Sequence, residues 1–148
     1  MYRHILIPTD GSELAEHAVT NGLSLAKSVG AKVTVIIVEE PFDWLGVSET
    51  KAQRAFEELA KYTEQIKKHS AGVLNRVTNA AKQAGVPCDT IQAENTQPYQ
   101  AIIAAAAEKG CDLIVMASHG RSGLSGVVLG SVTNKVLTHT KTPVLVCH

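Results

Sequence analysis

The sequence predicts a parallel three-layer α/β fold, five strands with helices on both faces of the sheet. Three observations carry that prediction. Five short runs rich in Val and Ile recur along the 148 residues. Segments with apolar residues at helical spacing separate them. Gly, Pro, Ser or Thr marks the junctions between the two patterns. Strands that alternate with helices form parallel sheets through right-handed crossovers.

The first two strands are "HILIPTD" (4–10) and "KVTVIIVEE" (32–40), both nearly continuous in apolar residues. Strands buried on both faces read this way. Between them, Leu14, Ala18, Val19, Leu23, Leu25 and Ala26 recur near helical spacing, with Ser12 placed to cap the start and Gly30 the end. This is a βαβ unit. The Pro- and Gly-containing segment "PFDWLGVS" follows, and then a long helical pattern over about 49–84. Its stripe is Phe56, Leu59, Ile66, Val73, Val77 and Ala80, and Gly72 is expected to bend or break it. The same spacing fits a heptad, but between strands a crossover helix is the better reading.

"VPCDTIQAE" (86–94) interleaves polar residues, as an edge strand does. Thr96 and Pro98 signal the start of a small-residue helix containing "QAIIAAAAEKG", able to pack close to a sheet. "DLIVMAS" (112–118) is the fourth strand. A glycine-rich loop leads to the helix "GSVTNKVLTH", with Val132, Val136 and Leu137 expected on its buried side. "PVLVCH" (143–148) is the fifth strand.

Composition limits the function classes. The length suits one domain over residues 1–148, burying roughly two-thirds of its unfolded surface. Fourteen basic residues balance fourteen acidic ones, so no electrostatic footprint for nucleic acid or an anionic membrane is visible, and an anionic ligand must be held locally. Cys88, Cys111 and Cys147 show no CxxC spacing and read as reduced thiols rather than a disulfide framework or zinc site. Neither a signal peptide nor a membrane span is recognisable, and a cytoplasmic protein is expected.

In parallel α/β sheets, ligands sit beyond the carboxyl ends of strands where the strand order reverses. Two loops compete for that place, "PTDGS" after the first strand and "SHGRSG" after the fourth. If those strands are neighbours, both loops face one crevice. Gly120, Gly123, Gly126 and Gly130 let backbone approach a ligand and permit left-handed conformations that gather N–H groups. The helix start after Gly130 offers unpaired N–H groups and the positive end of a dipole, with the hydroxyls of Ser131 and Thr133 beside them. Such a place seats an anion, and phosphate is the natural one. A plain surface loop is the alternative, disfavoured by the position directly after an interior strand. There is no GxxxxGK[ST], and no GxGxxG follows the first strand.

These residues resemble the universal stress proteins in their nucleotide-binding branch, whose motif is G-x2-G-x9-G-[ST]. The match runs from Ala117 through Gly120 to Gly130 and Ser131, with Ala117 standing where the first glycine is expected. The likeness extends to "ILIPTDGS", "VIIV", "VMASHGRSG" and "TPVLVCH". It implies strand order 3-2-1-4-5, an adenine nucleotide alpha hydrolase-like fold, and ATP as ligand. It also implies that Pro8, Thr9 and Asp10 line the adenosine end, Asp10 accepting from ribose hydroxyls. Val38 and Met116 match adenine-contacting positions, where apolar walls suit a purine face. Gly120, Arg121, Gly130, Ser131, Val132 and Thr133 match the ribose-phosphate segment.

Each of these has a plainer role open to it: helix capping with Ser12 for Asp10, core packing for Val38 and Met116, a solvated loop cation for Arg121. His119 has no adjacent carboxylate to make it a general base, so a structural or ligand-positioning role is expected. Asp10 can reach Mg²⁺ through water, with no second acidic ligand evident nearby. The loop lacks a lysine and an obvious base, so binding with at most slow hydrolysis follows. "PVLVCH" at a sheet edge would leave backbone groups unpaired, and a two-fold partner would cover it. A homodimer through the C-terminal strand is expected on that ground and on the resemblance. Three readings result, in order of preference: an ATP-binding sensor or regulator, with "PFDWLGVS" as a surface for protein partners; a nucleotide-free dimeric interaction protein; and a slow ATPase.

Overall fold

The computed structural model describes residues 1–41, 49–120 and 129–148, with backbone alone for 49–54. The strands are β1 (His4–Pro8), β2 (Lys32–Glu39), β3 (Cys88–Glu94), β4 (Leu113–Ala117) and β5 (Val144–Cys147). The helices are α1 (Glu13–Val29), α2 (Glu49–Ala84), α3 (Pro98–Lys109) and α4 (Ser131–His139). The sheet runs β3-β2-β1-β4-β5 with every pair parallel, the order expected.

Alternation along each central strand fills both faces. Ile5, Ile7, Val33, Val35, Leu113 and Val115 meet α1 and α2 on one side. Leu6, Ile36, Ile114 and Met116 meet Ile102 and Ala106 of α3 and Val136 of α4 on the other. Near-continuous apolar runs therefore fit strands covered twice. Burying each such branched side chain contributes about 1.5–3 kcal/mol.

The helix ends follow local chemistry. Ser12 Oγ accepts the Ala15 N–H at 3.3 Å, and Gly30 closes α1 at φ 70° with its N–H on the Ala26 carbonyl. Pro98 opens α3 as expected. Thr96 takes no part in capping it: Asn95 Oδ1 accepts the Gln97 N–H at 2.8 Å and shapes the approach.

Three expectations are corrected. Gly72 neither bends nor breaks α2, which runs uninterrupted for 36 residues, about 54 Å at 1.5 Å per residue. That outruns the strands: among its described side chains the buried ones are Ser70, Val73, Leu74, Val77 and Ala81, all in the second half, while Phe56 is 65% and Tyr62 56% exposed. Ala80 is exposed and Ala81 takes its place against the sheet. On α4, Leu137 is 39% exposed, and Thr133 joins Val136 on the buried side.

At the amino ends of the strands a polar cluster ties the chain together. Asp112 accepts the backbone N–H groups of Arg3 and His4, at 2.9 and 3.0 Å. The buried His4 ring lies 2.7 Å from Thr34 Oγ1 at Nε2 and 3.1 Å from the Lys109 carbonyl at Nδ1. Cys111 and Cys147 are buried free thiols and Cys88 is half-buried. Burial, reinforced by Asp112, pushes the Cys111 thiol up to about 11. No described helix is long and apolar enough to cross a membrane.

Candidate functional site

β1 and β4 are neighbours, so the order reverses between them and the loops that follow them meet at one crevice. Its volume is about 800 Å³, within the range of about 300–1,000 Å³ usual for small-ligand pockets. It opens on the α3–α4 side of the sheet.

Its apolar wall comes from strand ends. Pro8 of β1, Ile36 and Val38 of β2, and Met116 and Ala117 of β4 line it, with Pro98 and Ile102 of α3 opposite. Ile36, Pro98 and Ile102 were not among the site residues expected from the sequence, Pro98 being read only as a helix start. Their signal was geometric: in a parallel three-layer fold each helix starts beside the carboxyl ends of the strands, so the first turn of α3 borders the crevice.

The "PTDGS" loop is folded by its own side chains. Thr9 is buried, its N–H on the Ile36 carbonyl and its Oγ1 accepting the Gly11 N–H at 3.2 Å. Gly11 takes φ 78°, a left-handed turn that glycine makes without strain. Asp10 Oδ1 accepts the Ser12 N–H at 2.9 Å, while Ser12 caps α1 itself. Asp10 thus braces the turn and also lines the crevice. Glu40, beyond β2, lines it too, a second carboxylate that the sequence did not indicate. Among the described residues, no three His, Cys, Asp or Glu side chains gather as a metal-binding group.

At the other end, β4 passes into Ser118, His119 and Gly120. Ser118 is 2% exposed; its N–H donates to the Cys147 carbonyl, and its own carbonyl accepts the Gly130 N–H at 2.6 Å. One amide of the expected anion seat is therefore already engaged. The first intrahelical bond of α4 runs from the Asn134 N–H to the Gly130 carbonyl, leaving the N–H groups of Ser131, Val132 and Thr133 without acceptors inside the helix. No acidic residue stands in that first turn. All three residues line the crevice with His119, Gly120, Leu129 and Gly130.

Two hydroxyl and glycine expectations change. Thr133 Oγ1 donates to the Ala117 carbonyl at 2.8 Å, so this hydroxyl pins α4 to β4 and contributes to the crevice through its backbone. Gly120 and Gly130 have no left-handed φ. Their lack of a side chain serves close approach instead: a Cβ on Gly130 would lie 3.2 Å from the Ser118 carbonyl oxygen and 3.3 Å from His119 Cα. Arg121, Gly123, Gly126 and the segment Phe42–Ser48 lie outside the described residues. The other expected site residues all line the one crevice.

Comparison with known proteins agrees with this architecture. A universal stress protein of Methanocaldococcus jannaschii is 33% identical over 146 residues, covering 99% of this chain and 82% of that one. The solved structure of a second protein of that organism superposes with TM-score 0.81 at 26% identity, over 99% of this chain and 96% of the other. A universal stress protein solved in complex with cAMP shares the fold, with TM-score 0.72 at 24% identity over 99% and 97% of the two chains. The family model for universal stress proteins matches residues 1–148, and the chain belongs to the universal stress protein family.

Proposed function

We propose that this chain binds an adenine nucleotide, ATP, in the β1–β4 crevice and acts as a dimeric, cytoplasmic sensor or regulator in a stress response. The observation that carries this reading is the two-ended character of the crevice. One end is apolar, lined by Val38, Met116 and Ile102, as a purine face needs. The other is the uncapped start of α4, whose amides and dipole favour phosphate. Asp10, in the loop after β1 and close against Gly120 of the loop after β4, would accept from ribose hydroxyls. The family relative solved with cAMP is that protein's own finding; at its identity it speaks for the shared fold.

Mg²⁺ would enter with the phosphates. It usually takes one or two carboxylates beside phosphate oxygens, and Asp10 and Glu40 are the carboxylates of the crevice. No lysine or arginine stands among the described lining residues, so charge developing in phosphoryl transfer meets no described cation. Binding with at most slow hydrolysis is the reading this favours.

The test begins with the nucleotide released when freshly purified protein is denatured, followed by calorimetric titration with ATP and Mg²⁺. Adenine nucleotide in the supernatant and saturable heat are expected. Neither appearing would leave the nucleotide-free interaction protein as the answer. A single-turnover assay then sorts binding from slow hydrolysis by ADP formation.

A further inference from the structure

We propose that Glu40 reads the base: its carboxylate accepts a hydrogen bond from the 6-amino group of adenine and so selects adenine over guanine nucleotides. The inference deepens the nucleotide reading and rests on it. At the exit of β2 the chain carries two consecutive glutamates whose side chains part company. Glu39 Oε1 accepts from Gln92 Nε2 at 2.7 Å, and the same amide group reaches the Lys67 carbonyl of α2 at 3.3 Å, so this carboxylate serves the α2 side of the sheet. Glu40 is exposed and lines the crevice, in step with Ile36 and Val38. Residues two apart along a strand share a face, and Ile36 and Val38 belong to the apolar cluster under α3 and α4.

The order of the strand exits decides which part of the nucleotide Glu40 meets. The start of α4 is tied to the exit of β4 through Ser118 and Ala117, Asp10 follows β1, and β2 is the next strand along. Phosphates, ribose and base therefore fall over β4, β1 and β2 in turn. A purine joins its sugar through N9, so the opposite edge, which carries the 6-substituent, points outward to the β2 exit. Neighbouring strands lie about 4.8 Å apart, which sets Glu40 two strands, about 10 Å, from the phosphate seat. That places it with the base rather than with a metal on the phosphates.

The described side chains that wall this end, Ile36, Val38, Pro98, Ile102 and Met116, are apolar, and such a wall holds one purine much as another. Specificity in apolar pockets comes from a few placed polar groups. An ionised carboxylate is acceptor-only. It pairs with the amine of adenine and opposes the 6-carbonyl oxygen of guanine.

Calorimetric titrations test this with ATP, GTP and purine riboside triphosphate, which carries hydrogen in place of the 6-amino group, each with excess Mg²⁺. Wild-type protein should bind ATP roughly five- to tenfold more tightly than purine riboside triphosphate, the range of one solvent-exposed hydrogen bond, and GTP more weakly still. Glu40→Ala should bring ATP down to the level of purine riboside triphosphate and leave the latter's affinity unchanged. Glu40→Gln, whose amide can turn an N–H toward a carbonyl, should narrow the gap between GTP and ATP. Thermal melts of both variants should match wild type, since the residue is exposed. Equal affinity of wild type for ATP and purine riboside triphosphate, or equal losses for the two in Glu40→Ala, overturns the inference. So does an effect of Glu40→Ala that disappears when Mg²⁺ is replaced by a chelator, which would make the residue a metal ligand. Failure of all three nucleotides to bind wild-type protein would instead overturn the nucleotide reading.

Discussion

Asp10 Oδ2 stands 2.5 Å from the place a Cβ on Gly120 would occupy, so the loops after β1 and β4 meet with no space between them for a side chain. The carboxylate is the movable party. Its other oxygen holds the Ser12 N–H, and a methyl at position 120 would push the group off that bond or out of its pose. Gly120 is exposed with no left-handed φ, so alanine fits the backbone itself.

Gly120→Ala is therefore expected to leave folding stability within about 1 kcal/mol of wild type while weakening adenosine and ATP alike. A loss of roughly tenfold corresponds to one hydrogen bond to a charged group. Calorimetric titration and thermal melts on the same samples check both halves. Unchanged adenosine affinity would remove Asp10 from the ribose site.

The start of α4 allows a sharper test than its glycine. A Cβ on Gly130 meets backbone atoms that cannot rotate away, so Gly130→Ala should cost about 1–3 kcal/mol by overpacking. Loss of binding in that variant would not distinguish fold from site. Ser131 is exposed in the first helical turn, where a carboxylate is favoured by the helix dipole by about 0.3–1 kcal/mol. Ser131→Glu should hold or raise the melting temperature and abolish ATP binding, since the new charge takes the phosphate's place. ATP binding at wild-type strength in this variant would move the phosphates elsewhere.

Thr133 is a structural test in the same helix. Its hydroxyl satisfies the Ala117 carbonyl in a buried position. Thr133→Val keeps the shape and strands that carbonyl, with an expected cost of about 1–3 kcal/mol. Thr133→Ser should stay within about 1 kcal/mol of wild type. Urea denaturation of the two variants measures the difference.

Much of this was legible because each central strand had to satisfy both faces. Continuous runs such as Leu113–Met116 leave no polar face, and only a doubly covered parallel sheet accommodates that. The carboxyl-end rule, joined to the strand order that the family resemblance implies, brought the loops carrying Pro8, Asp10 and His119 to one crevice. Contributions fixed by three-dimensional neighbours were not legible. Glu40 reaches the crevice from the exit of β2, and Ile102 from the far helix layer. Ala80 and Ala81 are indistinguishable by type, and only the rotation of α2 on the sheet selects the second. Thr133 was read as a free hydroxyl because nothing in the sequence shows that the Ala117 carbonyl faces it across 16 positions.

The polar cluster at the opposite end of the sheet governs response to acid. Burial holds the His4 pKa below its usual 6.5, with Lys32 adding to the effect. The unfolded chain then binds more protons than the folded one as pH falls through 6.5, so stability from neutral His4 is full above that value and lost below it, down to the folded pKa. For Asp112, burial acts upward, but the N–H groups of Arg3 and His4 outweigh it and hold the carboxyl below its usual value. Its contribution is present above the ordinary carboxylate pKa and disappears at lower pH. Melting temperature should decline from pH 7 to pH 5, and His4→Gln should flatten that decline. An unaltered slope in the variant would shift the proton linkage to other groups.

The two sheet edges differ in a way that bears on assembly. β3 carries Asp89, Thr90, Gln92 and Glu94 at exposed positions, and charged edges resist pairing with another chain. β5 offers Val144, Leu145 and Val146, with Leu145 44% exposed and no charge within the strand. An isologous contact through β5 would satisfy its outer backbone groups and cover Leu145 in both copies. The wild-type protein is therefore expected to sediment as a dimer at micromolar concentration, and Leu145→Asp as a monomer, because two-fold symmetry sets the new carboxylates near one another in an apolar contact. As Leu145 lies outside the crevice lining, ATP affinity per chain should change little in that variant. A dimer indifferent to Leu145→Asp would assign its contact to another surface, and a wild-type monomer would leave β5 as an open edge.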